Sequence, residues 1–225
     1  METLQSTVER VYSEYFTSSN LHGMLRNYTE KCDEYEQEFS RNGYTSPPDV
    51  AREGMRLLPR GNTPDTKVLD FACGTGLVAD AMVTRGFRGE IHGLDGSEGM
   101  LGVARRKGIY QSLKEKVVLP GTRLDYEDCW FDGVFNCGGF GDDQLHPAVM
   151  PELARVVKRG GVVVMTCRHN DPPMEFQRRF DLQVRALEDA GVWRKAFLGR
   201  TLYFNCDFYN QDQPLYATIY CYIKN

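Results

Sequence analysis

No stretch of the 225-residue chain approaches the roughly 18–20 consecutive apolar residues of a membrane-spanning helix, so a membrane partner is not expected. An excess of positive charge is missing too. The 27 Lys and Arg stand against 31 Asp and Glu, a net charge of −4, and a nucleic-acid partner normally requires a basic face. Metal motifs are absent: the four histidines are isolated, and the seven cysteines (32, 73, 129, 137, 167, 206, 221) form no CxxC pair. The start, Met1-Glu2-Thr3-Leu4-Gln5, lacks the basic-then-apolar pattern of a secretory signal. The expectation is therefore a cytoplasmic protein with reduced, mostly buried thiols. Internal repeats and low-complexity segments are lacking as well. What is present is 41% hydrophobic and 12% aromatic content, enough for one sizeable core.

The periodicity divides that core into two parts of one structural unit, residues 1–60 and 61–225. The first part reads as helices, over about 4–16, about 22–40, and from Pro47-Pro48 to Leu58. After Gly61-Asn62-Thr63-Pro64 the pattern alternates strand and helix. Strands are expected at Lys67–Cys73, Gly89–Asp95, Val117–Leu119, Phe131–Cys137 and Gly161–Cys167. Helices are expected up to about Arg85, from the N-cap Ser97 to Gly108, over Pro147–Lys158, and from about Met174 to Ala190. Two further strands close the chain. In the last, Leu215, Ala217, Ile219, Cys221 and Ile223 face one way, and Tyr216, Thr218, Tyr220 and Tyr222 the other. The fold class is α/β, Rossmann-like and doubly wound. Its seven-stranded sheet is mostly parallel with an antiparallel last strand, and an N-terminal helical lid precedes it.

The central motif is Asp70-Phe71-Ala72-Cys73-Gly74-Thr75-Gly76-Leu77. Glycines at the end of a first strand let a ligand approach the backbone and aim helix N–H groups at it. Asp95, about 20 residues on at the end of the second strand, is placed to accept both ribose hydroxyls of an adenosine ligand. Two cofactors suit this arrangement. Gly74-Thr75-Gly76-Leu77-Val78-Ala79 reads as GxGxxA, which would bind NAD or FAD and make the protein an oxidoreductase. S-adenosylmethionine is favoured by the acid inside the strand, Asp70, by the antiparallel final strand, and by a length that leaves no separate substrate domain.

The motif, with Gly93-Leu94-Asp95-Gly96-Ser97-Glu98-Gly99-Met100-Leu101, resembles the class I S-adenosylmethionine-dependent methyltransferases. Within them the chain is most similar to the small methyltransferase-like proteins first noted in the Williams–Beuren chromosome region. Gly108-Ile109-Tyr110, Phe131-Asp132-Gly133-Val134, the segment Pro151–Gly161 and Ala190-Gly191-Val192-Trp193 carry the similarity further. The resemblance implies that Gly74, Thr75 and Gly76 flank the methionine part of the cofactor, with Asp70 bracing the turn. It implies Asp95 on the ribose, Gly96 beside it and Met100 against the adenine. Leu119, Gly121 and Thr122 would border the adenine; Asn136 and Cys137 would line the floor near the sulfonium. Tyr28 and Tyr35 match paired tyrosines over the methionine end, and Tyr44-Thr45-Ser46-Pro47 recurs beside them.

The acceptor is expected to be a small molecule, on a monomer or weak homodimer. Gln144 and His146 are the candidates for a catalytic role; related bacterial methyltransferases often carry histidine where Gln144 stands, and this chain departs from that pattern, with His146 two residues later. Tyr44, Arg168 and Tyr203 are candidates for substrate binding. Many relatives have glycine in place of Ala72, a change that is tolerable if the residue keeps an ordinary strand conformation. Asn170-Asp171-Pro172-Pro173-Met174 is read as a turn into a helix, not as a catalytic DPP motif. A binding module that holds the cofactor without turnover is the remaining alternative.

Overall fold

Val68, Leu69 and Phe71 have no exposed surface, because β1 (Lys67–Phe71) runs through the middle of the sheet with helices on both sides. The computed structural model describes residues 21–41, 43–141, 144–169, 175–204 and 214–225. Among these the elements run α1 (Leu21–Glu30), α2 (Cys32–Arg41), α3 (Ser46–Arg56), β1, α4 (Leu77–Thr84), β2 (Glu90–Asp95) and α5 (Glu98–Arg106). Then come β3 (Ser112–Glu115), β4 (Phe131–Phe135), a 3-10 turn (Pro147–Val149), α6 (Met150–Val156), β5 (Val157–His169), α7 (Glu175–Asp189), β6 (Trp193–Phe204) and β7 (Leu215–Lys224).

The seven strands lie in the order β3-β2-β1-β4-β5-β7-β6. The first five are parallel, and β7 is antiparallel to both β5 and β6. This is the doubly wound, mostly parallel sheet read from the sequence. One face packs against α3 and α4 through Val50, Ala51, Val78 and Met82; the other packs against α6 and α7 through Met150, Leu153, Phe180 and Val184. The alternation in β7 serves both: Ile219, Cys221 and Ile223 join the first layer, Tyr220 and Tyr222 the second.

Several boundaries differ from the sequence reading. The third strand is Ser112–Glu115, not Val117–Leu119. It is a polar edge strand beside β2, so it carries little apolar signal. The helix expected over 22–40 is two helices meeting at Lys31; the Lys31 and Tyr35 amides still reach the carbonyls of Asn27 and Lys31, so Tyr28 and Tyr35 stay on one side. The helix expected over Pro147–Lys158 opens as a 3-10 turn and ends at Val156, where β5 begins. Ser97 caps α5 as expected, its hydroxyl accepting from the Met100 amide. Cys32, Cys73, Cys129, Cys137, Cys167 and Cys221 are free thiols. The helix over 4–16, the Asn170–Met174 segment and Cys206 lie outside the described residues.

Candidate functional site

The carboxyl ends of β1, β2 and β4 converge on a cleft of about 750 Å³, open solvent included. Its position follows from topology: β1 lies between β2 and β4, where the strand order reverses and a crevice must form. A second cavity of about 340 Å³ adjoins it, and Tyr35, Ala72, Gly74 and Cys137 line both.

The turn between β1 and α4 builds the shared wall. Gly74 and Gly76 have φ of +53° and +91°, a region that favours glycine. A methyl group placed on Gly74 would meet nothing within 4 Å, so the backbone there faces open space. Ala72 does not keep a strand conformation, the condition for replacing glycine without strain: its φ is +54°. The chain reverses there, and an alanine bears conformational strain where glycine would bear none.

Asp95 closes the other side. Its Oδ2 accepts from the Gly74 amide at 2.8 Å and its Oδ1 from the Ser97 amide at 2.9 Å. Burial raises its pKa, and the amides of Gly74, Ser97 and Gly96 oppose the rise. A carboxylate has about four acceptor positions, so acceptor capacity remains for a ligand hydroxyl. Gly96 and Met100 line the same cleft, as do Lys116, Val117 and Val118. Leu119 and Thr122 instead form an exposed turn, in which the Leu119 amide donates to Thr122 Oγ1 at 3.0 Å. That displacement follows from β3 ending earlier than its expected register.

The first two helices form the roof. Tyr28 and Tyr35 line the cleft with ring centroids 6.1 Å apart, and Gln144 donates to the Tyr28 hydroxyl at 2.9 Å. Leu21, Met24 and Leu25 add an apolar rim that the sequence reading did not single out. Tyr44 lies 3.2 Å from Cys137 Sγ, and its ring is 5.0 Å from that of Tyr203. Burial pushes the Cys137 thiol up to about 12 and the phenols of Tyr28 and Tyr44 well above their ordinary value, so all three stay protonated.

Asn136, His146, Arg168 and Tyr203 stand apart from the cavity walls. Asn136 is fully buried beneath them, donating to the Phe71 carbonyl at 2.7 Å. His146 is exposed and caps the 3-10 turn, its Nδ1 accepting from the Ala148 amide at 3.1 Å. Tyr203 is buried behind Gly138; Arg168 is half-buried near Gly141. Asp70 and Thr75 line the second cavity. The Thr75 hydroxyl is buried without a partner among the described residues, as expected of a group that awaits a ligand. No cluster of three His, Cys, Asp or Glu able to hold a metal is found among the described residues. No helix there is long and apolar enough to cross a membrane.

A glycine-walled turn, an acid at the end of the second strand and an unpartnered hydroxyl suit an adenosine-bearing amino acid such as S-adenosylmethionine. The comparisons agree. The methyltransferase domain family matches residues 68–161. Human methyltransferase-like protein 27 is 34% identical over 169 residues, 75% of this chain and 67% of that protein. A demethylmenaquinone methyltransferase of Bacillus mycoides is 35% identical over 116 residues, 50% of this chain and 48% of that protein; the match thus spans about half of that relative. The TehB-like S-adenosylmethionine-dependent methyltransferase from Corynebacterium glutamicum shares the fold at a TM-score of 0.57 and 13% identity, covering 89% of this chain and all of that one. The chain belongs to the class I methyltransferases that use S-adenosylmethionine as methyl donor.

Proposed function

We propose that this protein methylates a small-molecule acceptor in the cytoplasm, as a monomer or weak homodimer, with residues 1–60 forming a lid on a methyltransferase unit of residues 61–225. One observation carries the acceptor class. The part of the cleft near Cys137 is lined by Tyr28, Tyr35, Gly138 and Gln144, with Tyr44 and Tyr203 packed beside it. An aromatic-lined cleft suits a small molecule better than a protein or nucleic-acid surface. Some relatives, the demethylmenaquinone methyltransferases, are named for a small molecule.

The bound cofactor supplies a methyl group already activated on a sulfonium, so the protein's task is alignment and exclusion of water, which can account for several kcal/mol. In this reading Asp95 accepts the ribose hydroxyls, with Gly96 and Met100 beside the adenosine. The Gly74-Thr75-Gly76 turn and Asp70 hold the amino-acid end. Tyr28 and Tyr35 cover it, and Cys137 marks the junction of the two cavities. Gln144 fixes the Tyr28 hydroxyl and borders the acceptor; Tyr44, Tyr203 and Arg168 shape that part of the cleft from behind. His146, which caps a turn, has no role in proton transfer. The oxidoreductase reading finds no support, because the matched family and the relatives described above are methyltransferases.

Incubation with methyl-deuterated S-adenosylmethionine and a metabolite extract tests the proposal, with Asp95→Ala as control. A small molecule carrying the mass label only with the unmodified protein is expected. Label on protein or nucleic acid alone would overturn the acceptor class. Tight S-adenosylhomocysteine binding without any label would favour a binding module.

A further inference from the structure

Tyr110 sits under the glycine turn, in the segment between α5 and β3. Its hydroxyl donates to Asp70 Oδ2 at 2.7 Å. The ring fits because two neighbours lack side chains. A methyl on Gly76 would meet the Tyr110 hydroxyl at 2.8 Å, and one on Gly93 would meet ring carbon Cε1 at 2.9 Å. One phenol thus bridges the end of β1, the ligand-facing turn and β2.

Its partner is an unusual acid. Asp70 is only 2% exposed, yet it forms part of the second cavity's wall beside Thr75. Burial pushes its carboxyl up to about 7. The Tyr110 hydrogen bond and the Ala79 amide oppose the rise, the charge of Asp95 adds to it, and Lys107 opposes it from a distance. Lys107 is itself held by Glu36 at 2.7 Å and Asp80 at 3.6 Å. Burial and the charge of Asp70 raise the Tyr110 phenol well above its ordinary value, and they do the same to the Cys73 thiol. Both therefore stay protonated, and toward an ionised Asp70, which can only accept, the Tyr110 hydroxyl donates.

We propose that Tyr110 is a positioning residue of the cofactor site: by donating to Asp70 it favours the carboxylate form of that side chain and fixes it in the wall of the second cavity, where a cationic amino group is received. This rests on the reading of the second cavity as the place of the cofactor's amino-acid end. The strut itself acts from outside both cavities, since Tyr110 lines neither.

Titration calorimetry of S-adenosylhomocysteine from about pH 6 to 8.5 tests it, on the full chain and on Tyr110→Phe, Asp70→Asn and the double variant. Phenylalanine keeps the ring between Gly76 and Gly93 and removes only the donor, so Asp70 should titrate at higher pH. Unmodified protein should gain affinity as pH rises through about 7. Tyr110→Phe should bind about tenfold more weakly near neutrality and approach the unmodified protein at the upper end. Asp70→Asn should bind weakly with no such rise, and adding Tyr110→Phe should change nothing further. A Tyr110→Phe profile parallel to that of the unmodified protein would overturn the proposal. So would an unmodified profile no steeper than that of Asp70→Asn, a comparison that holds even where Tyr110→Phe fails to fold. Absence of binding by the unmodified protein at every pH would instead overturn the cofactor reading beneath it.

Discussion

Thr29 Oγ1 and Ser97 Oγ lie 2.8 Å apart, which ties α1 to the turn that carries Asp95. The approach is close because Gly99 stands opposite: a methyl there would lie 2.7 Å from both the Cα and the carbonyl oxygen of Thr29. Gly99→Ala should therefore push α1 away and destabilise the fold by about 1–3 kcal/mol. Cofactor affinity should fall with it. Thermal unfolding and calorimetry check both, and an unchanged variant would show that α1 yields freely.

Ala72 offers the opposite test. Its left-handed conformation is unfavourable by about 1–2 kcal/mol for an L-residue with a side chain. Ala72→Gly relieves that strain while giving the unfolded chain more freedom. The balance should be a gain of about 0.5–1 kcal/mol in denaturant unfolding. A loss would mean that the Ala72 methyl packs better than its backbone suffers.

Asp132 separates stability from function. Its side chain has no exposure, both oxygens accept from Lys158 Nζ at 2.9 Å, and Oδ2 also accepts from the Lys67 amide at 2.9 Å. Asp132→Ala should cost about 3 kcal/mol, since a partly buried ammonium and an amide lose their acceptor. Cofactor affinity of the folded protein should not change, because Asp132 lines neither cavity.

His146→Ala should leave affinity for S-adenosylhomocysteine and the pH profile of turnover unchanged, because the imidazole is exposed and occupied with a cap. A lost alkaline or acidic limb in that profile would restore His146 to the chemistry.

Legibility in the sequence followed the range of the interactions. The glycine turn and the Ser97 cap are readable because each depends on neighbours in one strand–turn–helix unit, and Asp95 because its place follows from the spacing of two such units. The β3 boundary was not, since Ser112–Glu115 is a polar edge whose pairing with His92–Asp95 carries no apolar signal. Leu119 and Thr122 were displaced with it, and Lys116–Val118 took the place beside the cleft. The left-handed backbone of Ala72 is not legible, because nothing in its neighbours announces it. Tyr110 stands out in the sequence only within Gly108-Ile109-Tyr110. Its partner Asp70 lies 40 residues away on β1, and the hints are Gly76 and Gly93, whose missing side chains make room for the ring.

The central claim is that the cleft at the ends of β1, β2 and β4 holds the methyl donor through Asp95. Calorimetric titration of S-adenosylhomocysteine into the unmodified protein and Asp95→Ala tests it most directly. The account expects binding by the first and affinity at least about tenfold weaker in the second, since the acceptors for a diol and the anchor of the Gly74 amide are removed together. Equal affinity in the two proteins would contradict it.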